Sequence, residues 1–148
     1  MKSMILRLFT TLMLLVALGT VAAQAQSANQ MKADIPFRFV IGDQTLPAGE
    51  YIVRYVNQDS GKTALLFKST DGRNTRIVTM MTAERDAPQE KASLIFNQYG
   101  DQHFLSEVWT AGDQYGLALP KSRTERQMKG DIALNRQKRV TVALITRR

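Results

Sequence analysis

From Ala33 onward the chain alternates. Ile35, Phe37, Phe39 and Ile41 fall on every second position, with Asp34, Pro36 and Arg38 between them. That period predicts a strand with one buried face. Pro36 has no N–H to give to a ladder, which suits an edge strand or a strand start. Gly42-Asp43 signals a turn. Leu46-Pro47-Ala48-Gly49 then leads into Tyr51, Val53 and Tyr55 on one face and Ile52, Arg54 and Val56 on the other. Pro47 presets a turn φ and Gly49 is free to take a positive one, so the segment predicts a tight turn entering a strand.

The same alternation of apolar runs and turn residues continues. Asn57 to Gly61 predicts a hairpin loop, Thr63 to Lys68 a strand, Thr70-Asp71-Gly72-Arg73 a turn, and Thr75 to Thr82 a further strand. Residues 83 to 92 are polar, contain Pro88, and predict a loop crossing an edge or end of the sheet. Ser93 to Tyr99 and Gln102 to Trp109 flank Gly100-Asp101 as a hairpin, and Gly116 to Leu119 is a short apolar strand after Ala111-Gly112-Asp113. The period then changes. Ser122-Arg123-Thr124-Glu125 has the form of a capping box, predicting a helix from Ser122 to about Lys129 that stops at Gly130. Arg139 to Thr146 alternates again as a last strand.

Six or seven short strands with frequent turns and one short helix near the C-terminus predict a mainly β domain over residues 33–148, an antiparallel β-sandwich or a small barrel. Tyr51, Phe67, Phe96, Phe104 and Trp109 are its predicted core aromatics.

The first 25 residues follow a different logic. Lys2 and Arg7 precede an almost wholly apolar run from Leu8 to Leu18, and Ala23-Gln24-Ala25 fits the small-x-small pattern of a signal-peptidase site. The run is shorter than the roughly 20 residues that span a bilayer, so the pattern predicts a cleaved secretory leader, followed by a polar, loose segment over 26–32. The protein is therefore expected in the periplasm or outside the cell, with no transmembrane anchor left after cleavage. It contains no cysteine, which excludes disulfide staples, thiolate chemistry and cysteine-based zinc sites. The formal charge of +7 falls to +5 once Lys2 and Arg7 leave. A mild positive excess suits anionic envelope components or another protein as partner, and also serves solubility. Arg136, Lys138, Arg139, Arg147 and Arg148 bracket the last strand. Such flanking charges guard an edge against aggregation, and without interleaved exposed aromatics they do not predict nucleic-acid binding.

No group of residues has the pattern of a catalytic centre or calls for a cofactor. His103, the single histidine, sits beside a turn near Asp101 and Glu107, and the simplest reading is a solvated turn residue. Glu84, Asp86, Glu90, Glu107 and Glu125 could supply a carboxylate pair for glycoside hydrolysis, but Arg85, Lys91 and Arg126 stand next to them as ion-pair partners. There is no G-x-S-x-G elbow, no Gly-rich phosphate loop and no calcium-loop spacing. A ligand- or partner-facing surface built from Trp109, Tyr115 and Arg123 is the remaining candidate, with core packing the alternative for Trp109.

Taken together, the leader, Ile35-Pro36-Phe37-Arg38-Phe39, Leu46-Pro47-Ala48-Gly49-Glu50-Tyr51, Tyr99-Gly100-Asp101 with Phe104-Leu105, Trp109-Thr110-Ala111-Gly112, and Leu119-Pro120-Lys121-Ser122 with Glu125-Arg126 resemble a family of short secreted proteins of unknown function from acidobacteria-type bacteria. The resemblance spans nearly the whole mature chain and implies export but no activity and no site residues. A narrower likeness, confined to Leu46–Tyr51, is to prealbumin-like β-sandwich modules, and it implies the sandwich. The expectation is thus an exported, non-enzymatic binding or envelope-associated structural protein. The alternatives are a lipocalin-like barrel carrying a small apolar ligand and, last, a carboxylate-based hydrolase. A carrier would need a cavity on the order of 300 Å3 or more.

Overall fold

The computed structural model describes residues 30–59, 62–131 and 137–146. The expected leader and the arginines at 136, 147 and 148 lie outside that range. Ten strands and one helix follow in chain order: β1 (Gln30–Ile35), β2 (Phe39–Ile41), β3 (Gln44–Leu46), β4 (Gly49–Asp59), β5 (Lys62–Ser69), β6 (Thr75–Glu84), β7 (Ser93–Tyr99), β8 (Gln102–Trp109), β9 (Tyr115–Ala118), α1 (Arg123–Asp131) and β10 (Lys138–Thr146).

Eight of the strands close on themselves in the order β8-β7-β10-β1-β4-β5-β6-β9, with β9 returning to β8 through Glu107↔Ala118 and Val108↔Leu117. Every pairing around this ring is antiparallel. The fold is a small closed barrel, and the sandwich expectation is corrected. Alternation along a strand is the same whether its buried face meets a second sheet or its own barrel interior, so the pattern alone leaves both open.

The inward faces follow the predicted alternation. Met31, Ala33 and Ile35 of β1, Tyr51 and Val53 of β4, Leu65 and Phe67 of β5, Val78 and Met80 of β6, Leu94 and Phe96 of β7, and Val142 and Leu144 of β10 join one buried cluster. Gln30 to Lys32, expected to be loose, are instead part of β1, paired to β4 at Gln30↔Arg54 through Lys32↔Ile52. The expected single strand over 33–41 is broken. Pro36, Phe37 and Arg38 lie between β1 and β2, because the proline ends the ladder that the continuing alternation disguises.

This break lets β2 and β3 leave the barrel wall. They form a hairpin, Phe39↔Leu46 to Ile41↔Gln44, with β2 running parallel to the start of β8. Phe39, Ile41 and Leu46 are buried in the barrel cluster, and Phe39 meets Tyr51 and Phe96 edge to face. The hairpin thus plugs the barrel end where β4 begins and β5 ends. The entry to β4 is fixed as predicted: Gly49 takes φ +149°, and the Tyr51 hydroxyl donates to the Pro47 carbonyl at 2.8 Å.

On the outer wall at the plugged end a second, smaller cluster of Val40, Tyr99 and Phe104 receives Met128 of α1. Phe104, expected in the main core, belongs here. The capping residue is as predicted, since Ser122 Oγ accepts the Glu125 N–H at 3.1 Å. The Glu125 side chain does not complete the box. It is buried, accepting from Asn97 Nδ2 at 2.8 Å and the Tyr99 hydroxyl at 3.3 Å, and Lys121 Nζ donates to that same hydroxyl at 3.2 Å. The helix is therefore latched to β7 by a buried carboxylate.

Candidate functional site

At the barrel end opposite the plug, a recess of about 170 Å3 is lined by Tyr55, Thr82, Val108, Thr110, Asp113, Tyr115, Gly116 and Leu117. Each wall has a local cause. Tyr55 is the last inward residue of β4 before an irregularity in the β4–β5 register between Tyr55 and Asn57. Thr82 and Leu117 stand opposite each other across the β6–β9 pair, and Val108 opposes Leu117 across the closing β8–β9 pair. The recess is thus assembled at the seam of the barrel.

Its floor is apolar through Val108 and Leu117, both buried, while its rim carries two phenols, two threonine hydroxyls and the carboxylate of Asp113. Asp113 comes from the β8–β9 loop, which is tied to the segment after β6 by backbone hydrogen bonds. Gly112 takes φ +80°, its N–H donates to the Gln89 carbonyl at 2.8 Å, and the Gln89 N–H donates to the Asp113 carbonyl at 3.0 Å. Arg85 N–H donates to the Gln114 carbonyl at 3.0 Å. Asp113 Oδ1 accepts the Tyr115 N–H at 2.8 Å, an Asx turn that fixes the carboxylate beside the tyrosine. Burial and then the nearby Asp113 charge hold the Tyr55 hydroxyl above its usual pKa, so Tyr55 stays a neutral donor across the physiological range.

Of the three residues expected to form a ligand-facing surface, only Tyr115 lines this recess; it is 49 % exposed. Trp109 is buried at 1 % exposure and sits on the outer wall of the barrel. Its ring packs over Gly116, where an added Cβ would come within 2.5 Å of Trp109 Cε3. The Arg85 guanidinium covers it at 4.2 Å from the ring centroid. Trp109 Nε1 donates to Glu107 Oε2 at 2.8 Å, and Glu107 also binds Arg85 at 2.7 Å and Arg139 at 3.2 Å. The segment after β6, predicted to cross an edge or end of the sheet, carries Arg85 over Trp109 and hydrogen-bonds to the β8–β9 loop. Arg123 is exposed at the start of α1. The helix docks on Asn97 and Tyr99, which pair with the first residues of β8, whereas Trp109 ends that strand. The structure therefore does not bring the three residues together.

His103 is not a turn residue. It lies in β8, half-buried, with its ring stacked on Phe37 at 3.9 Å, and its Nδ1 is buried without a hydrogen-bond partner. Burial lowers its pKa, and the charge of Asp101, with polar contacts to the Arg38 and Asp101 backbone, opposes that only in part. The carboxylates named in the sequence are dispersed: Glu107 is neutralised on the outer wall, Glu125 is under α1, and the recess holds one acid, Asp113. Among the described residues no group of three or more His, Cys, Asp or Glu could hold a metal ion, and no helix is long and apolar enough to cross a membrane.

Tyr55, Thr82 and Asp113 carried no signal of their own in the sequence. They come from different elements, and only barrel closure makes them neighbours. No family model, curated protein or solved structure matches the chain.

Proposed function

We propose that the protein is an exported, non-enzymatic binding module that holds one polar, ring-sized unit of an envelope component in the recess between Tyr55 and Tyr115. The observation that carries this reading is the size and lining of the recess. At about 170 Å3 it is close to the roughly 150 Å3 that accommodates one benzene ring, and well below the 300 Å3 or more of a drug- or lipid-sized site. Two phenols offer stacking faces, and the threonines and Asp113 offer hydrogen bonds, the lining that suits a hydroxylated ring. The pinned β8–β9 loop orders these groups in advance, which lowers the entropy lost on binding. The leader pattern and the resemblance to short secreted proteins support export.

A lipocalin-like carrier has the right architecture but is disfavoured by its interior. Ala33, Ile35, Val53, Leu65, Phe67, Met80, Leu94 and Phe96, each at 0 % exposure, fill the barrel with side chains. A hydrolase using paired acids is disfavoured because the described lining of the recess offers a single carboxylate.

The test is amide shift mapping on isotope-labelled protein with glucose, N-acetylglucosamine and a long-chain fatty acid. A ring-sized sugar should move Thr82, Thr110, Tyr115 and Gly116 and leave Ala33 and Phe67 in place. Stoichiometric fatty-acid binding that moves the interior strands would establish the carrier instead. No response at the recess to any ring-sized sugar, neutral or amino, would remove the reading.

A further inference from the structure

Resting on that reading of the recess, we infer that its ligand carries a positive charge: the site selects an organic ammonium, held by the Asp113 carboxylate and the faces of Tyr55 and Tyr115. The charge balance of the lining leads there. Among the described residues Asp113 is the one carboxylate that lines it, and no described lysine or arginine does. No ion pair to Asp113 forms among the described residues, although the chain as a whole has a formal charge of +7. Arg85, whose backbone N–H reaches the Gln114 carbonyl next to Asp113, has its side chain committed to Glu107, Gln89 and the Trp109 ring.

The carboxylate is also aimed. Its Oδ1 is engaged by the Tyr115 N–H, which orients the group, and Oδ2 has no hydrogen-bond partner among the described residues. Asp113 and Tyr55 both line the recess. A carboxylate and two electron-rich rings lining one recess form the set of groups that binds an ammonium, through an ion pair and the ring quadrupoles together. Because Asp113 and Tyr115 are exposed, each term is modest. Together they favour a cationic ring over its neutral counterpart by about tenfold at low salt, and added salt should erode that margin. An amino sugar with a free amine and a choline-type headgroup both present this chemistry.

Glucosamine, glucose and choline, titrated at equal low ionic strength against the wild-type protein and Asp113→Asn, test the assignment. The asparagine keeps the Oδ1 acceptor for the Tyr115 N–H, so the loop should hold while the charge is lost. In the wild type glucosamine or choline should bind about tenfold more tightly than glucose, and in Asp113→Asn that ratio should fall to about one, whatever the change in glucose affinity itself. Glucosamine ahead of choline would identify an amino sugar as the source of the ammonium, and choline ahead of glucosamine a headgroup. Equal wild-type affinity for glucose and glucosamine would overturn the charge assignment and leave the ring-binding reading intact. No shift at the recess from any of the three would overturn both.

Discussion

Two residues show how little room the structure leaves for substitution. Gly116 is in β9 because the ring of Trp109 occupies the space a side chain would need, with three ring atoms within 2.7 Å of the place of an added Cβ. Those atoms belong to a rigid indole clamped by Glu107 and Arg85, so they cannot rotate aside as a flexible chain end would. Gly116→Ala should therefore destabilise the protein by about 1–3 kcal/mol, the usual cost of overpacking. The fluorescence of the single tryptophan should shift to the red as the ring is pushed toward water. Urea titration followed by tryptophan emission measures both; an unchanged midpoint would show that the wall yields. His103 makes a prediction about pH. Its pKa is lowered in the folded protein, so the folded state takes up its proton at lower pH than the unfolded chain does. Between the unfolded value near 6.5 and the lower folded value, the unfolded state binds more protons, and stability falls as pH falls through that window. His103→Phe keeps a ring against Phe37 and removes both the titration and the partnerless Nδ1. Its urea midpoint should change less than that of the wild type between about pH 7.5 and about pH 5.5. Equal slopes would mean that other groups set the acid limb.

The elements themselves were largely legible, because alternation and turn residues are local signals. The hairpins around Gly72 and Gly100, the strand from Ser93 to Tyr99 and the Ser122 cap follow from neighbours in sequence. What escaped reading depends on partners far along the chain. In β8 the register shifts opposite Ile95 and Phe96, so Leu105 and Val108 both face inward although they are three apart. Phe104 and Trp109 are thereby left on the outer wall, which strict alternation cannot reveal. Glu125 is the clearest case. Its spacing from Ser122 announces a capping box, yet its side chain goes to Asn97, 28 residues away in sequence. A nine-residue helix with a strongly polar sequence has little stability of its own, so this latch and Met128 should decide whether α1 stays docked. Glu125→Ala would leave the Asn97 amide and the Tyr99 hydroxyl without their acceptor, at a cost of about 1–3 kcal/mol. Hydrogen exchange should then accelerate through Arg123–Asp131, while β4 and β5, on the other side of the barrel, keep their protection. Protection retained in the helix would show that Met128 suffices.

The step from strands to barrel is the part of the fold the chain does not announce, because it rests on one short pairing. Around most of the ring the ladders are long; β4 and β5 run together from Tyr51↔Ser69 to Asp59↔Lys62. Closure depends on Glu107↔Ala118 and Val108↔Leu117, extended by the Leu119 N–H donating to the Ser106 carbonyl at 2.8 Å. If opening follows the number of bonds that must break together, this seam should be the first part of the wall to open under native conditions. The amides of Leu117 and Leu119 should exchange faster than those of Val53 and Phe67. The recess lies on the same seam, with Thr82 and Leu117 on one side and Val108 and Thr110 on the other. A ligand bridging those residues binds only the closed barrel, so saturating ligand should slow exchange at Leu117 and Leu119 while the interior ladders, already at the global limit, gain less. Glucosamine at saturation is the probe. Protection that rises equally throughout the barrel would show that closure is not a separate local event, and that the ring opens only when the whole protein unfolds.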